Sequence, residues 1–588
     1  MSTTNGSNET NGTNGHKSKY SVPAQTRLVF EDGILNNPLI AKDLPKDAKE
    51  LGKKIKYHGY DAPSIPIIWR FAESVSALKG LEAVMILALL KKKYNTEVDG
   101  VRINTDHASL FFMSTLLWTL DSKGGNITAA DASSTDPAVA TKLAKYFQSY
   151  DIHRAWSTPH RASTTNIYKT KNGRFFHLHG SMDPDPSLES IGLPKELDSP
   201  TVEESWKPFK EKMSQIDSKD MQTIASDKYK QAGTICWTTE EFKNTEHGRA
   251  NAHIGLFEVR EHASKQAPGW WPDSPQTSAK RPLAGLKVVD ITRVIAAPAI
   301  TRGLAELGAS IMRVTAPHLV DYSSLHCDLN WGKWNCHLDF RKEEDRGKLQ
   351  ELIKDADVVV SAYRPHVLDK WGFGEEDILK MCEGGGRGVI YVRENCYGWH
   401  GPWSYRSGWQ QISDACCGVS MEYGRAMGND EPVTPVFPNS DYCTGIAGVS
   451  GIIQALLLRA DKGGSYSVDV ALNYYSQWLV NSCGTYPVHV WNELWSSYDK
   501  PVFRHYHAML YTIPRMLGML AKNSKSPIRQ GQFFEDREAE NLGTTIRTVK
   551  PILEFPGGEV ELRFNVGTRG NGVDQPRWPD DLMTPIVQ

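Results

Sequence analysis

The chain has 588 residues, with 67 Lys and Arg against 69 Asp and Glu and a formal net charge of −2. Hydrophobic residues make up 40% and charged residues 23%, as in ordinary globular proteins, and at ~100–200 residues per domain the length allows about three or four domain-sized units. The best apolar run, residues 84–90, is far shorter than the ~20 residues of a membrane helix, and the balanced charge does not favour nucleic acid. These features argue against a membrane-spanning, a disordered or a polycationic protein.

The cysteines indicate a reducing compartment. All nine lie between Cys236 and Cys483, without a C-x-x-C pair, and no secretory signal precedes them. We therefore expect a cytoplasmic location, with mitochondria and peroxisomes left open. Residues 1–19 are mostly Asn, Gly, Ser and Thr and are expected to be a disordered tail.

A first structured region is predicted over residues 60–262. Its predicted elements are helices at 74–90, 106–120, 201–216 and 219–233, a strand at 100–104, and a hairpin at 168–179 around an Asn-Gly turn. A linker rich in proline, residues 263–281, marks a domain boundary.

From residue 282 the pattern alternates between strands and helices. The strands are predicted at 286–290, 310–314, 337–340, 357–361 and 388–392, and the helices at 298–307, 343–355 and 375–382. This alternation predicts an α/β fold with a doubly wound parallel sheet, in which ligands bind at the carboxyl ends of the strands.

Residues 77–110 and 446–475 hint at an internal repeat. Each reads as an apolar helix, a polar turn, a short strand and another helix when Gly80 is set on Gly451.

Residues 290–298 (DITRVIAAP) lie at a predicted strand-to-helix junction. The N–H groups of a helix N-terminus suit a phosphate, although the residues alone fit an ordinary structural turn better. The chain has neither G-x-G-x-x-G here nor a Walker A motif, so a hydride-transferring dinucleotide enzyme loses its main support.

Blocks of residues over about 282–480 resemble the family III CoA-transferases of the CaiB/BaiF type. The blocks are residues 282–314 (PLAGLKVVDITRVIAAPAITRGLAELGASIMRV), Trp331-Gly332-Lys333 with His337-Leu338-Asp339, Asp357-Val358-Val359-Val360 with Tyr363-Arg364-Pro365, residues 366–372 (HVLDKWG), and Tyr397-Gly398 with Gly401-Pro402. The resemblance implies a large domain with a Rossmann-like sheet, a smaller α+β domain and the interlocked fold of that family.

A further block, residues 438–445 (PNSDYCTG), resembles the family's nucleophile motif and places Asp441 on the catalytic aspartate. The residues alone favour a plain helix N-cap. The resemblance implies an acyl-CoA:carboxylate CoA-transferase, in which the carboxylate attacks the thioester and forms a mixed anhydride and then an aspartyl-CoA thioester. It implies acyl-CoA and a carboxylic acid as substrates, no permanently bound cofactor, no metal, no nucleic acid and no membrane.

The resemblance also implies where CoA lies, along the strand ends. The residues that it assigns to CoA are Arg293, Val294, Ile295, Ala296, Tyr363, Arg364, Lys370, Tyr397 and Gly398. The sequence departs from the family at Ala297, where the family has glycine. It also departs at residues 361–363, which read Ser-Ala-Tyr where the family has Asn-Phe. The histidines, including His505 and His507, show no metal-ligand spacing.

Two other activities are weighed against the transferase. Racemases of the same superfamily use a His-Asp pair, which Trp409 and Gln410 replace here, and neither side chain is a general base near neutral pH. From a different class, a non-catalytic CoA-binding pseudoenzyme stays open because parts of the family pattern are missing.

The order of the blocks predicts a rearranged tandem fusion. Features of the family's small domain appear early, at 168–175, 234–241 and 247–250, so residues 60–262 are interpreted as a degenerate first copy and 282–588 as a second copy. The first copy offers Arg70 or the nearby Glu73 at the nucleophile position and is expected to be silent. The protein is then expected to be a homodimer or an internal pseudo-dimer.

Overall fold

The computed structural model describes residues 19–132, 137–262 and 265–588. The predicted tail, apart from Lys19, lies outside these residues. The α-helices of eight or more residues are Val22–Phe30, Phe71–Tyr94, Pro137–Ala144, Val202–Met213, Ala296–Glu306, Glu343–Lys354, Glu375–Cys382, Val419–Ala426, Asn439–Lys462, Val488–Ser496 and Met509–Lys522. The shorter ones are Pro38–Ala41, Ala48–Gly52, Thr105–Phe111, Ala129–Ala132, Pro159–Ala162, Asp185–Ser190, Ser218–Thr223, Thr239–Asn244, Glu246–Asn251, His326–Leu329, Gln410–Cys416 and Leu472–Trp478.

A large twisted sheet organises the second half of the chain. Its strands are β1 (Glu258–His262), β2 (Lys287–Ile291), β3 (Ser310–Thr315), β4 (Lys333–His337), β5 (Val358–Ser361), β6 (Ile390–Asn395) and β7 (Ser465–Ala471). They lie in the order β4-β3-β2-β5-β6-β7-β1, all parallel except β1, which pairs antiparallel with β7. The predicted α/β class and the doubly wound parallel sheet are confirmed.

One strand of this sheet differs from its prediction. Strand β4 spans Lys333–His337, four residues before the predicted 337–340. Lys333 and Asn335 are buried polar residues in it, so the strand lacks the apolar pattern that identifies its neighbours.

A buried ion pair holds the turn that follows β2. The Lys333 ammonium donates to Asp290 Oδ2 at 3.1 Å and to the Pro298 carbonyl at 3.0 Å, and both charged side chains are fully buried. The hydroxyls of Thr292 and Thr301 donate to the same carboxylate. Strand β4, the end of β2 and the helix after the turn are thereby tied together, and the path of residues 292–298 is fixed.

Helix Asn439–Lys462 is the core helix of this half. It packs against helix Ala296–Glu306 at glycines: a Cβ at Gly445 would lie 2.8 Å from Ala299 Cβ, and one at Gly448 would lie 2.5 Å from Ile300 Cδ1. By length and composition the helix could span a membrane, but 89% of its most apolar window is buried inside the protein, as expected for a core helix.

A smaller α+β unit comes from the first half. Strands Asn166–Lys169, Phe175–Leu178 and Gly233–Ile235 form an antiparallel sheet whose first two strands are the predicted hairpin. Helices Asp185–Ser190, Val202–Met213 and Ser218–Thr223 pack around it. The Trp237 N–H donates to the Ala415 carbonyl at 3.0 Å, which docks this unit on the large sheet domain.

The N-terminal part repeats one edge of the large sheet. Strands Ile55–His58 and Val101–Asn104 are parallel, and Leu553–Glu554 pairs antiparallel with Val101–Asn104. In the large sheet, β6 and β7 are likewise parallel, and β1 pairs antiparallel with β7. Each half is thus completed by a strand from the other half. Helices Val22–Phe30, Pro38–Ala41 and Ala48–Gly52 lie before residue 60, where no structure had been predicted, and the predicted helix 106–120 ends at Phe111.

We expect Lys333→Met to lower the free energy of unfolding by ~3–5 kcal/mol, because it leaves the Asp290 carboxylate buried without its cation. Urea denaturation measures the change. The matched control is Lys348→Met, on an exposed face, with an expected change within ~0.5 kcal/mol. A loss in the Lys333 variant no larger than the control's would show that the pair does not hold the turn.

Candidate active site

A cavity of about 400 Å³ opens at the carboxyl ends of β2, β5 and β6. The large domain contributes Arg293, Val294, Ile295, Ala296, Ala362, Tyr363, Arg364, Pro365, Val367, Glu394, Asn395, Cys396 and Asp441, with Leu319, Val320 and Leu472. The loop after β6 adds Arg406, Ser407, Gly408 and Trp409, and the small unit adds Ser181, Met182, Asp183 and Gln231. The cavity therefore lies between the two units, at the point where the strand order reverses between β2 and β5, which is where open α/β sheets bind ligands.

The turn after β2 is strained where it meets the cavity. Val294 has φ +72°, a left-handed conformation that a β-branched side chain rarely adopts. Helix Ala296–Glu306 starts directly after it, and the first N–H groups of that helix have no acceptor within the helix. The turn thus presents donors and a helix N-terminus to the cavity, as expected for a site that binds negative charge.

Asp441 is the third residue of helix Asn439–Lys462. The preceding Pro438 has ψ 52°, and the Asn439 N–H donates to the Phe437 carbonyl at 2.8 Å, so the chain turns sharply into the helix. The close packing at Gly445 brings this helix end beside the turn after β2. Asp441 consequently faces the cavity from a helix N-terminus, where a carboxylate is favoured.

Asp441 is 9% exposed, and its carboxyl has no hydrogen bond or ion pair within the described part of the chain. Removal from water raises its pKa to about 8. A carboxyl that is poised near neutral pH and opens to a cavity is suited to nucleophilic or acid–base chemistry.

Two further carboxyls, missed in the sequence, lie nearby. Glu394, near the end of β6, also lines the cavity, and burial followed by the negative charge of Asp441 raises its pKa to about 8. Burial and the charge of Asp441 also raise the pKa of Asp414 well above its usual range, although Asp414 accepts a hydrogen bond from Gln410. The signal available for Glu394 was a lone acidic residue at the end of an apolar strand.

Three arginines line the cavity, and none has a carboxylate within ion-pair distance among the residues described. Arg293 donates to the Val320 carbonyl at 2.9 Å, and its guanidinium lies 4.8 Å from the centre of the Tyr363 ring. The pKa of Arg364 is lowered, mainly because the guanidinium is partly removed from water and also because the positive charge of Arg293 repels it. Arg406, which the sequence did not indicate, lies over Trp403. The positive charge suits an anionic ligand.

The structure brings together seven of the predicted site residues and leaves three outside the cavity. The seven are Arg293, Val294, Ile295, Ala296, Tyr363, Arg364 and Asp441. Lys370 is exposed beside the Trp371 ring. Tyr397 is fully buried and donates to the Gly233 carbonyl at 3.2 Å, and Gly398 continues that buried turn. The Tyr397 side chain therefore packs behind the cavity wall, and its contact with CoA stays a prediction.

The two positions that hold the His-Asp pair in the racemases carry side chains that are not general bases. Trp409 lines the cavity, stacks on His179 at 5.5 Å and donates from Nε1 to Ser181 Oγ at 3.2 Å. Gln410 is buried and donates to Asp414. His179 itself is buried behind Trp409, and burial lowers its pKa to about 3, so this imidazole stays neutral.

The first half holds a carboxyl at the matching helix position. Helices Phe71–Tyr94 and Asn439–Lys462 start alike, so Glu73, rather than Arg70, stands third as Asp441 does. Glu73 accepts from the hydroxyls of Tyr20 and Tyr486 and lies 3.8 Å from Arg70 Nε. Because Glu73 is fully buried and fully partnered, it cannot act on a substrate from this position.

Outside the cavity, His253, Glu258 and His400 bring possible metal-ligand atoms within 4.8 Å of one another. Glu258 already accepts from His400 Nε2 at 2.9 Å and from the Tyr474 hydroxyl at 3.0 Å. The carboxylate of Glu258 is therefore already hydrogen-bonded within the protein. The absence of a metal from the chemistry stays a prediction.

Comparison with known proteins identifies the class. The model of CoA-transferase family III matches residues 283–493. The chain is 50% identical over 572 residues to "Acetyl-coenzyme A transferase nodX" of Hypoxylon pulicicidum, covering 97% of this chain and 95% of that protein. It is 31% identical over 580 residues to an "Acyl-CoA transferase" of Gibberella moniliformis, covering 96% of this chain and 97% of that protein.

Among solved structures, a CaiB/BaiF family protein from Brucella suis is 28% identical with a TM-score of 0.32, over 34% of this chain and 55% of its own. The chain belongs to CoA-transferase family III. It is an enzyme, a CoA-transferase, as the resemblance in its sequence implied.

We expect Asp441→Asn to make stability less dependent on pH. The pKa of Asp441 is about 8 in the folded state and ~3.9 in the unfolded chain. As the pH rises between these values, the unfolded chain loses the proton first, so the free energy of unfolding falls by up to ~1.4 kcal/mol per pH unit. Removing this group should make the variant more stable than wild type at pH 8, but not at pH 4. Urea unfolding at both pH values measures the difference, with the exposed Asp99→Asn as control. The same change in unfolding free energy between pH 4 and pH 8 in wild type and in Asp441→Asn would contradict the prediction.

Proposed function

We propose that this chain moves CoA from an acyl-CoA to a carboxylic acid with Asp441 as covalent nucleophile. The observation that carries the proposal is an unpaired, buried carboxyl at a helix N-terminus, facing a cavity at the switch point of a Rossmann-like sheet. CoA is then a substrate, and no permanently bound cofactor or metal is included.

The reaction proceeds by acyl exchange. An oxygen of Asp441 attacks the thioester carbonyl carbon, the C–S bond breaks, and CoA thiolate leaves a mixed anhydride on the aspartate. The thiolate then attacks the aspartyl carbonyl, which releases the donor acid and leaves an aspartyl-CoA thioester. The acceptor carboxylate repeats both exchanges in reverse order, releases the new acyl-CoA and regenerates Asp441.

The surroundings of Asp441 support these steps. Each tetrahedral intermediate places negative charge on an oxygen, and unpaired N–H groups at the start of helix Ala296–Glu306 are donors of the kind that stabilise it. Trp409 and Met182 line the cavity with apolar surface, which limits hydrolysis of the anhydride by water.

For the nucleotide end of CoA we propose Arg293, Tyr363 and Arg364, which line the cavity beside the strained turn at Val294. Paired guanidinium groups recognise phosphate well, and a tyrosine face suits an adenine ring. Acetyl-CoA is the proposed donor because a relative named as an acetyl-coenzyme A transferase matches nearly the whole chain.

The remaining expectations stay proposals with their own support. The repeated strand pattern and the matching starts of the two long helices support a rearranged tandem fusion with a silent first copy. A cytoplasmic location and either a homodimer or an internal pseudo-dimer complete the proposal.

We expect Asp441→Ala to reduce exchange of [¹⁴C]acetate into acetyl-CoA by at least ~10³-fold, because the covalent intermediate cannot form. In wild type, hydroxylamine added during turnover should convert Asp441 to a hydroxamate, found by peptide mass spectrometry. The control is Glu73→Gln, which should keep the exchange. The carboxyl that it removes occupies the same helix position as that of Asp441 but does not line the cavity. Full exchange in the Asp441 variant would end the proposal.

We expect Arg293→Ala and Arg364→Ala each to raise KM for acetyl-CoA ~10–100-fold with little change in KM for acetate, since a charge-assisted hydrogen bond contributes ~1.5–3 kcal/mol. Lys370→Ala, outside the cavity, should leave both constants near wild type. Initial rates with each substrate varied measure this. A larger effect at Lys370 than at the arginines would place CoA elsewhere.

A further inference from the structure

Glu394 has no role in the exchange described so far. It is the penultimate residue of β6, before Asn395, and its side chain lines the same cavity as Asp441. Glu394 is 9% exposed and, within the described ranges, neither a hydrogen bond nor an ion pair satisfies its carboxyl. A carboxyl that is mostly buried but opens to a cavity can find its partner only in what fills that cavity, because burial without a partner costs folding free energy.

The groups around Glu394 do not supply that partner. The other titratable or charged side chains that line the cavity are Asp183, Arg293, Tyr363, Arg364, Cys396, Arg406 and Asp441. None of the arginines comes within 4.0 Å of either Glu394 or Asp441. Asp414, behind the wall, adds a third carboxyl that interacts with Asp441. Two interacting carboxyls that share a cavity, neither with an arginine within ion-pair distance, do not both ionise readily, so one keeps a proton while the other is charged.

The proton balance of the exchange decides what the second carboxyl can do. An acyl-CoA and a carboxylate give a carboxylate and a new acyl-CoA, so no proton is consumed or released. A protonated thiol would stop the sequence, since each second step needs the thiolate. A protonated carboxyl beside the nucleophile therefore serves as a fixed hydrogen-bond donor that keeps its proton throughout.

We propose that Glu394 is a second catalytic carboxyl, protonated while Asp441 is ionised, which donates a hydrogen bond to the oxygen or sulfur that becomes negative when Asp441 attacks. This assignment rests on the proposed function of Asp441. It explains the unpartnered burial of Glu394, because the substrate supplies the acceptor. The active enzyme is then the singly ionised form of the Glu394–Asp441 pair.

The wild-type exchange of [¹⁴C]acetate with acetyl-CoA should follow a bell-shaped pH profile near pH 8, since both the neutral and the doubly ionised pair are inactive. Glu394→Gln keeps a donor that cannot ionise. It should retain the rate within ~10-fold and lose the alkaline decline. Glu394→Leu, without a donor, should lose ~10²–10³-fold, as after removal of one oxyanion donor. Glu306→Gln, a buried glutamate outside the cavity, is the matched control.

Infrared titration of the free enzyme provides a test without substrate. A buried protonated-carboxyl band should be present in wild type at pH 7 and weaker in Glu394→Gln, even if Glu394→Leu fails to fold. An unchanged band, an unchanged bell in Glu394→Gln, or a wild-type rate in folded Glu394→Leu would each overturn the assignment. If Asp441→Ala is inactive while Glu394→Gln keeps the bell-shaped pH profile of the exchange, the role of Glu394 alone is refuted. If Asp441→Ala is active, the proposed function is refuted as well.

Discussion

The cavity depends on the buried ion pair between Lys333 and Asp290. An unpaired ammonium or carboxylate at that depth would be far too costly, so the two charges and the hydroxyls of Thr292 and Thr301 must be in place together. Their contacts fix the end of β2 against β4 and the first turn of helix Ala296–Glu306. Because the strained Val294 lies between these fixed points, the turn has no freedom to relax, and residues 293–296 stay in the cavity wall.

The position of Asp441 follows from close helix packing rather than from its own contacts. Glycines at 445 and 448 let helix Asn439–Lys462 approach helix Ala296–Glu306 closely enough that side chains at either position would collide. The proposed nucleophile is thus carried by a core helix. The fold tolerates the raised pKa of its carboxyl because the rest of that helix buries apolar surface. Stability and reactivity are supplied by different parts of one helix.

The sequence was most informative where local order determines structure. Most of the alternating strands and the turn at 290–298 were predictable, because each depends on neighbours within a few residues, whereas Asp441 was assigned only by resemblance to the family motif. Glu394 and Arg406 were not, since they meet Asp441 only when separate segments converge on the cavity. Strand β4 was displaced in the prediction because its polar residues are buried by tertiary partners. Tyr397 was assigned to CoA by resemblance, and its side chain is buried outside the cavity lining.

The two halves of the chain show what separates a structural carboxyl from a reactive one. Glu73 and Asp441 occupy the same place on similar helices, and burial raises the pKa of both. Around Glu73 two tyrosine hydroxyls and Arg70 satisfy the carboxyl, so it stabilises the joined halves and has no capacity left for a substrate. Around Asp441 no such partner is found among residues 19–132, 137–262 and 265–588, and the carboxyl faces a cavity instead. Since the helix and its entry turn are the same in both, the difference in function lies in what surrounds the carboxyl.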